Sequence, residues 1–242
     1  MSSFPIIDLS ALTNKYLIGD GYLQDISSDP DTRIVSDQIM DAFEKYGFIY
    51  VKGHNIPQEV IDSSFEVSRK FFELDSNVKE EFARNPKTNW GYVPFRVETF
   101  EKSRPFDLKE CFNYLPISSK TVEMDNILSE FIQKSNKLFS ISKKRGMILL
   151  KAITLGLNTE DKANFLYNTH NCIDNFDKNP TTLRLLYYPA IETVDAVKDH
   201  QLRCGEHSDY GTLTLLFQDD AGGLQVSIDI LFRNCMTLVF ML

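Results

Sequence analysis

The triplet His207-Ser208-Asp209 sets an imidazole and a carboxylate two residues apart. On an extended segment residues i and i+2 project to the same face, so a ring nitrogen and a carboxylate oxygen can converge on one metal ion while Ser208 points away. A neutral imidazole and one carboxylate, completed by a second histidine, make the facial set that holds non-haem Fe(II) and leaves positions open for substrate and oxygen. Aspartate is common in this chain, so the triplet alone does not define a site. Its surroundings add to it. LRLLYYPA (183–190) precedes it and GEHSDYGTLTLLFQDDAGGLQV (205–226) contains it. Together these read as a strand, a turn bearing the two candidate ligands, a second strand, a Gly-Gly turn and a third strand.

The remaining reactive side chains read as structural. His54 sits in the turn Gly53-His54-Asn55, where capping or loop bonding is the expected use, and His170 lies in a polar turn. His200 ends a charged loop at a spacing from His207 that fits no strand face. Cys204 lies three residues before His207 and is expected to be a buried free thiol. No Walker loop, G-x-G-x-x-G or G-x-S-x-G is present, so nucleotide and acyl-enzyme chemistry have no support.

The elements that must position these residues fall into a helix-rich first part and a strand-rich last part. FPIIDLS (4–10) reads as a short strand and residues 13–28 as a loop. Asp29-Pro30 is a helix start, an N-cap acceptor before a proline whose missing N–H costs nothing there. Val35, Ile39, Ala42, Phe43 and Tyr46 follow at helical spacing until Gly47 stops the run. Phe48–Val51 is a buried strand, Pro57 opens a second helix, and a shorter helix covers 76–83. Between 86 and 118 the pattern dissolves. A long helix then runs from about 122 to Gly156, and the turn-rich NFDKNP (175–180) is the best boundary. Leu183–Tyr188, Leu213–Phe217 and Leu224–Val226 are strand-like. Helices first and strands last imply an α+β layout.

Composition bounds the function classes. The chain has 242 residues with 43% hydrophobic and 25% charged, ordinary globular values. Its net charge of −8 without a basic block disfavours nucleic acid and anionic membranes as partners. The four cysteines form no C-x-x-C pair, as expected for free thiols in a reducing compartment. With no signal-peptide pattern and no apolar run of membrane-spanning length, a soluble, cytoplasmic protein is expected.

The segments around the triplet, together with FPIIDLS, AFEKYGFIYVKGHNIP (42–57), RKFFELDSNVKEEF (69–82), NWGYVPF (89–95) and DLKECF (107–112), resemble the isopenicillin N synthase-like branch of the 2-oxoglutarate/Fe(II)-dependent dioxygenases. The resemblance runs in order through nearly the whole chain to Val226. It implies a helical N-terminal region packed on a double-stranded β-helix, or jelly-roll, core. The division expected is an N-terminal dioxygenase region over 1–120, a long helix and connection over 121–177, and a jelly-roll portion over 178–242. His207 and Asp209 match the first two iron ligands. Tyr188 matches a tyrosine that positions the co-substrate carboxylate, and Arg184 a basic position on the same strand. Leu186 stands where the family carries asparagine, and Tyr92 occupies a position where an aromatic often reaches the pocket mouth.

The implied cofactors are Fe(II), 2-oxoglutarate as co-substrate and O2. Oxidative decarboxylation to succinate and CO2 would drive attack on a C–H bond of a small organic substrate, by hydroxylation or desaturation. The resemblance stops after Val226. A third ligand, on a strand returning across the barrel, belongs roughly 40–60 residues beyond Asp209. That is past Leu242, as is the Arg-x-Ser segment that would anchor 2-oxoglutarate. The expectation is therefore a C-terminally truncated member with an incomplete β-helix and impaired activity. Two other readings stand beside it: a non-catalytic binding or regulatory product of the same fold, and an oxidase of that fold that does not use 2-oxoglutarate. Substrate identity and oligomeric state do not follow from the sequence.

Overall fold

The computed structural model describes residues 4–16, 26, 28–99, 102–116, 126–158, 164–172, 181–191, 197–226 and 237–240. They form two compact units, each assembled from separated stretches of chain. One comprises Met1–Gln58, Ser140–Cys172 and Ser208–Leu242; the other comprises Glu59–Phe139 and Ile173–His207. The expected boundary at 175–180 lies outside the described residues.

In the first unit, β1 (Ile6–Asp8) pairs in parallel with β2 (Phe48–Lys52), Ile7 opposite Val51. Beyond β2 the sheet continues through β7 (Thr237–Phe240) to β6 (Thr214–Leu216), again in parallel. Helix α2 (Pro30–Tyr46) begins and ends where its caps dictate. The Asp29 side chain accepts from the Asp31 amide, and Gly47 at φ 66° donates its N–H to the Phe43 carbonyl. Its face of Val35, Ile39, Ala42 and Phe43 is buried. Between β1 and α2 the structure departs from the expected loop: α1 (Ser10–Tyr16) is helical. The Asp8 carboxylate accepts from the Ser10 amide at 2.9 Å and caps the turn, while Leu12 is fully buried. Both signals are too short to show as a periodicity.

The second unit is built around an aromatic core. Helix α3 (Gln58–Phe72) presents Phe71, which stacks on Phe131 of α5 (Asn126–Gly156) with ring centroids 4.6 Å apart. Phe112 meets Phe71, Trp90 and Phe131 edge-on at 5.2, 5.1 and 5.0 Å. Beyond α3 comes the short α4 (Ser76–Glu80), as anticipated. An antiparallel sheet, β3 (Gly91–Val93), β4 (Glu110–Tyr114) and β5 (Leu183–Tyr187), lies against this cluster. Two of these strands fall in the stretch read from sequence as patternless. Every residue of β3 and β4 is buried, Glu110 and Asn113 included, so neither strand alternates polar with apolar. Of the three strands expected in the last part, two form, whereas Leu224–Val226 is irregular after Gly222 and Gly223, whose φ values of 70° and 93° turn the chain. No helix among the described residues is long and apolar enough to cross a membrane. Helix α6 (Phe165–His170) completes the described elements.

Candidate active site

β5 carries the first candidate residue. Its antiparallel register sets Arg184 opposite Asn113. The Arg184 guanidinium donates to Asn113 Oδ1 at 3.2 Å and forms a close ion pair with Glu98, which Arg84 also approaches at 3.4 Å. Arg184 is thus committed to a carboxylate and an amide of its own unit. Tyr188, the residue after β5, neighbours the Cys204 thiol. Burial of its hydroxyl, with the neighbouring Cys204 and Asp107, raises its pKa well above the usual tyrosine value, so it stays a neutral donor.

Cys204 also contacts His207, and a buried lysine stands beside it. Lys109 Nζ lies 3.5 Å from Cys204 Sγ and 2.6 Å from Asp107 Oδ2. Burial pushes the Cys204 thiol up, but the adjacent His207 and the charge of Lys109 outweigh it and hold the thiol below its ordinary value. His207 Nδ1 is 2.8 Å from the carbonyl oxygen of Gly205. A carbonyl only accepts, so Nδ1 carries the proton and Nε2 keeps the lone pair, the tautomer of a histidine that ligates through Nε2. In this unit the structure brings Tyr188 and His207 to one thiol; it sends Arg184 to Glu98 instead.

Asp209 belongs to the other unit. There its Oδ2 accepts from the Thr214 hydroxyl at 2.5 Å, which fixes the carboxylate against the start of β6. Among the described residues no group of three or more His, Cys, Asp and Glu side chains is arranged to hold a metal ion. The donor types present, an imidazole with its tautomer set and a carboxylate oriented by a hydroxyl, fit two positions of a non-haem iron centre.

Tyr92 is placed differently from the pocket-mouth position expected of it. It is 3% exposed, in β3, and its hydroxyl donates to the Glu110 carboxylate in a short hydrogen bond. Lys79 completes that buried group, 2.7 Å from Glu110 and 2.8 Å from the Phe72 carbonyl. A carboxylate buried beside Tyr92 supplies the acceptor its hydroxyl needs, so the ring turns inward. Two of the other histidines, His54 and His170, make local structural bonds. His54 Nδ1 accepts from the Ile56 amide at 3.1 Å, and His170 bonds the Leu166 carbonyl and the Thr212 hydroxyl. Sequence reasoning missed Asp107 and Lys109. The available signal was two opposite charges, i and i+2, immediately before the strand β4.

Comparison with known proteins gives the same direction over most of the chain. Residues 4–138 match the family described as non-haem dioxygenase in morphine synthesis, N-terminal, and residues 179–238 match the 2OG-Fe(II) oxygenase superfamily. The 2-oxoglutarate-dependent dioxygenase citB of Monascus ruber is 32% identical over 85% of this chain and 64% of its own length. Homoarginine-6-hydroxylase 2-ODD-C23 of Glycine max is 29% identical over 93% of this chain and 69% of its own. Among solved structures, a full-length Neurospora crassa protein in complex with alpha-KG superposes with a TM-score of 0.65 at 28% identity, covering 86% of this chain and 62% of that one. The same Neurospora crassa protein has been solved with thymine bound. The chain therefore spans 64% of the citB relative and 62% of the Neurospora crassa structure.

Proposed function

The chain belongs to the 2OG-Fe(II) oxygenase superfamily, whose α+β fold with a jelly-roll core it shares, and on that premise we propose that the protein is an Fe(II)- and 2-oxoglutarate-dependent oxygenase acting with O2 on a small organic molecule. The observation that carries the proposal is the state of His207: its Nδ1 proton is held on a backbone carbonyl, inside the segment that matches the superfamily. His207 and Asp209 are the two residues that would hold the iron. When bound, the metal and 2-oxoglutarate supply with O2 the oxidising power for a C–H bond, with succinate and CO2 as co-products.

The chain's own residues bind and orient. Gly205 engages Nδ1 of the His207 ring, so that Nε2 would be the coordinating atom. Thr214 steadies the Asp209 carboxylate by donating to its Oδ2. Tyr188 presents a neutral hydroxyl suited to donate to a carboxylate of the co-substrate. Arg184 supports this strand electrostatically and would reach 2-oxoglutarate only by sharing its guanidinium with Glu98. The outcome, hydroxylation or desaturation of a small substrate, parallels the Neurospora crassa protein, which binds thymine, and the homoarginine hydroxylase. A net charge of −8 argues against a nucleic-acid substrate. The free thiols of Cys111, Cys172 and Cys204 suit the cytoplasm.

The test is succinate formation from 2-oxoglutarate under air with Fe(II) and a panel of small substrates. The proposal expects whatever succinate forms to require iron and to vanish in His207→Ala and in Asp209→Ala. Substrate oxidation without 2-oxoglutarate consumption would move the protein to the oxidase reading.

A further inference from the structure

The segment ending in His207 is laid along residues 106–109 by four contacts within one unit. Gln201 Nε2 donates to the Phe106 carbonyl at 2.7 Å, and the Leu108 amide donates to the Leu202 carbonyl at 2.9 Å. Lys109 Nζ reaches Cys204 Sγ at 3.5 Å. The Gly205 amide donates to Asp107 Oδ1 at 3.1 Å. The first two end on main-chain carbonyls, which residues of many kinds could supply. The other two come from a charged pair, Asp107 and Lys109, each 3% exposed and 2.6 Å from its partner. Burying such a pair is costly, and replacing it with apolar residues is often neutral or stabilising.

What the carboxylate does beyond neutralising Lys109 is specific. Both polar groups of Gly205 are engaged: its N–H by Asp107 Oδ1, and its C=O by the Nδ1–H of His207 at 2.8 Å. A rotation of the chain at residue 205 that released one would also misalign the other. A Cβ at position 205 would lie 3.5 Å from Asp107 Oδ1, so the carboxylate packs directly on the glycine backbone.

We propose that Asp107 is a positioning residue for His207, acting through the Gly205 backbone, with Lys109 holding the carboxylate in its place. The functional meaning of this rests on His207 being a metal ligand; the positioning itself does not. Ligand-orienting partners of this kind change metal affinity by roughly 10- to 100-fold when removed.

The experiment uses the full chain and pairs two readouts. Long-range 15N–1H NMR of the histidine rings reports the tautomer of His207 without any metal, and Co(II) titration reports ligation. Three proteins are compared with wild type: Asp107→Ala/Lys109→Met, Asp107→Asn/Lys109→Met, and His207→Ala. The double changes avoid stranding a buried lysine, and the asparagine keeps an oxygen that can accept from Gly205. The proposal expects a single Nδ1–H tautomer in wild type and in the asparagine variant. In the alanine variant it expects a mixture of tautomers and a Co(II) affinity lower by about tenfold or more. An alanine variant that keeps the single tautomer overturns the proposal. So does an asparagine variant that behaves like alanine, because Asp107 would then be only a buried charge. If wild type and His207→Ala bind Co(II) equally, the metal-ligand reading of His207 fails, while the tautomer comparison still decides the positioning.

Discussion

At the scale of single residues, the unit that carries His207 uses buried charge in two places. Lys79, Glu110 and Tyr92 form a closed group in which the carboxylate takes a proton donor from each neighbour. Removing one member strands another away from water. Lys79→Met is therefore expected to cost about 3–5 kcal/mol in urea unfolding, and Tyr92→Phe about 1–3 kcal/mol. Lys79→Met combined with Glu110→Leu should recover most of the first loss, and full additivity of the two single losses would contradict the pairing. Cys111, buried in β4, has its thiol pushed up to about 12 from an ordinary 9.0, mainly by burial. The folded protein keeps a proton that the unfolded chain gives up above pH 9. That contribution to stability is whole below pH 9 and shrinks as pH rises toward 12. Denaturant midpoints at pH 8 and pH 10 should differ less in Cys111→Ala than in wild type, and native Cys111 should resist alkylation at pH 8. At this scale the sequence was partly legible. His207-x-Asp209 could be singled out as a candidate pair because metal ligation asks for particular atoms at particular spacing. Asp107 could not, because its meaning lies in a contact with Gly205 that is distant in the chain.

At the scale of elements, legibility followed the strength of local signals. Helix α2 was readable at both ends because Asp29, Pro30 and Gly47 each impose a backbone state, and α3 and α5 because long apolar periodicities mark them. β3 and β4 were not, since burial on both faces erases alternation and the charged residue in β4 is satisfied by a lysine from elsewhere. Capping also makes α2 sensitive to acid. The hydrogen bond from Lys15 holds the Asp29 carboxyl at about 2, below its ordinary 3.8, with Tyr16 also donating to it. Its stabilising effect is complete above about pH 4 and is lost as pH falls toward 2, so thermal unfolding of Asp29→Ala should be less acid-sensitive than wild type in that window. Packing inside the first unit is tight at Gly156, where an added Cβ would sit 2.4 Å from Met40 Cγ and 2.7 Å from the Ser36 carbonyl oxygen. Gly156→Ala, although it raises helix propensity, is expected to destabilise by about 1–3 kcal/mol because the clash includes backbone. A gain in stability would contradict that packing.

At the scale of the whole molecule, the composition set the class and the order of segments set the family. The α+β layout and the oxygenase lineage were legible because resembling runs are spread in order from Phe4 to Val226; the family match itself continues to residue 238, beyond where the resemblance read from sequence stops. The interleaving of the two units was not, since it depends on long-range pairing such as β2 with β7, nearly two hundred residues apart in the chain. The central claim is that His207 and Asp209 hold the metal to which 2-oxoglutarate binds. Its most direct test is anaerobic calorimetric titration of the chain with 2-oxoglutarate, with and without Fe(II), in wild type, His207→Ala and Asp209→Ala. The account predicts 2-oxoglutarate binding that requires Fe(II) in wild type and is lost in both variants. Iron-dependent binding that survives both substitutions would contradict it.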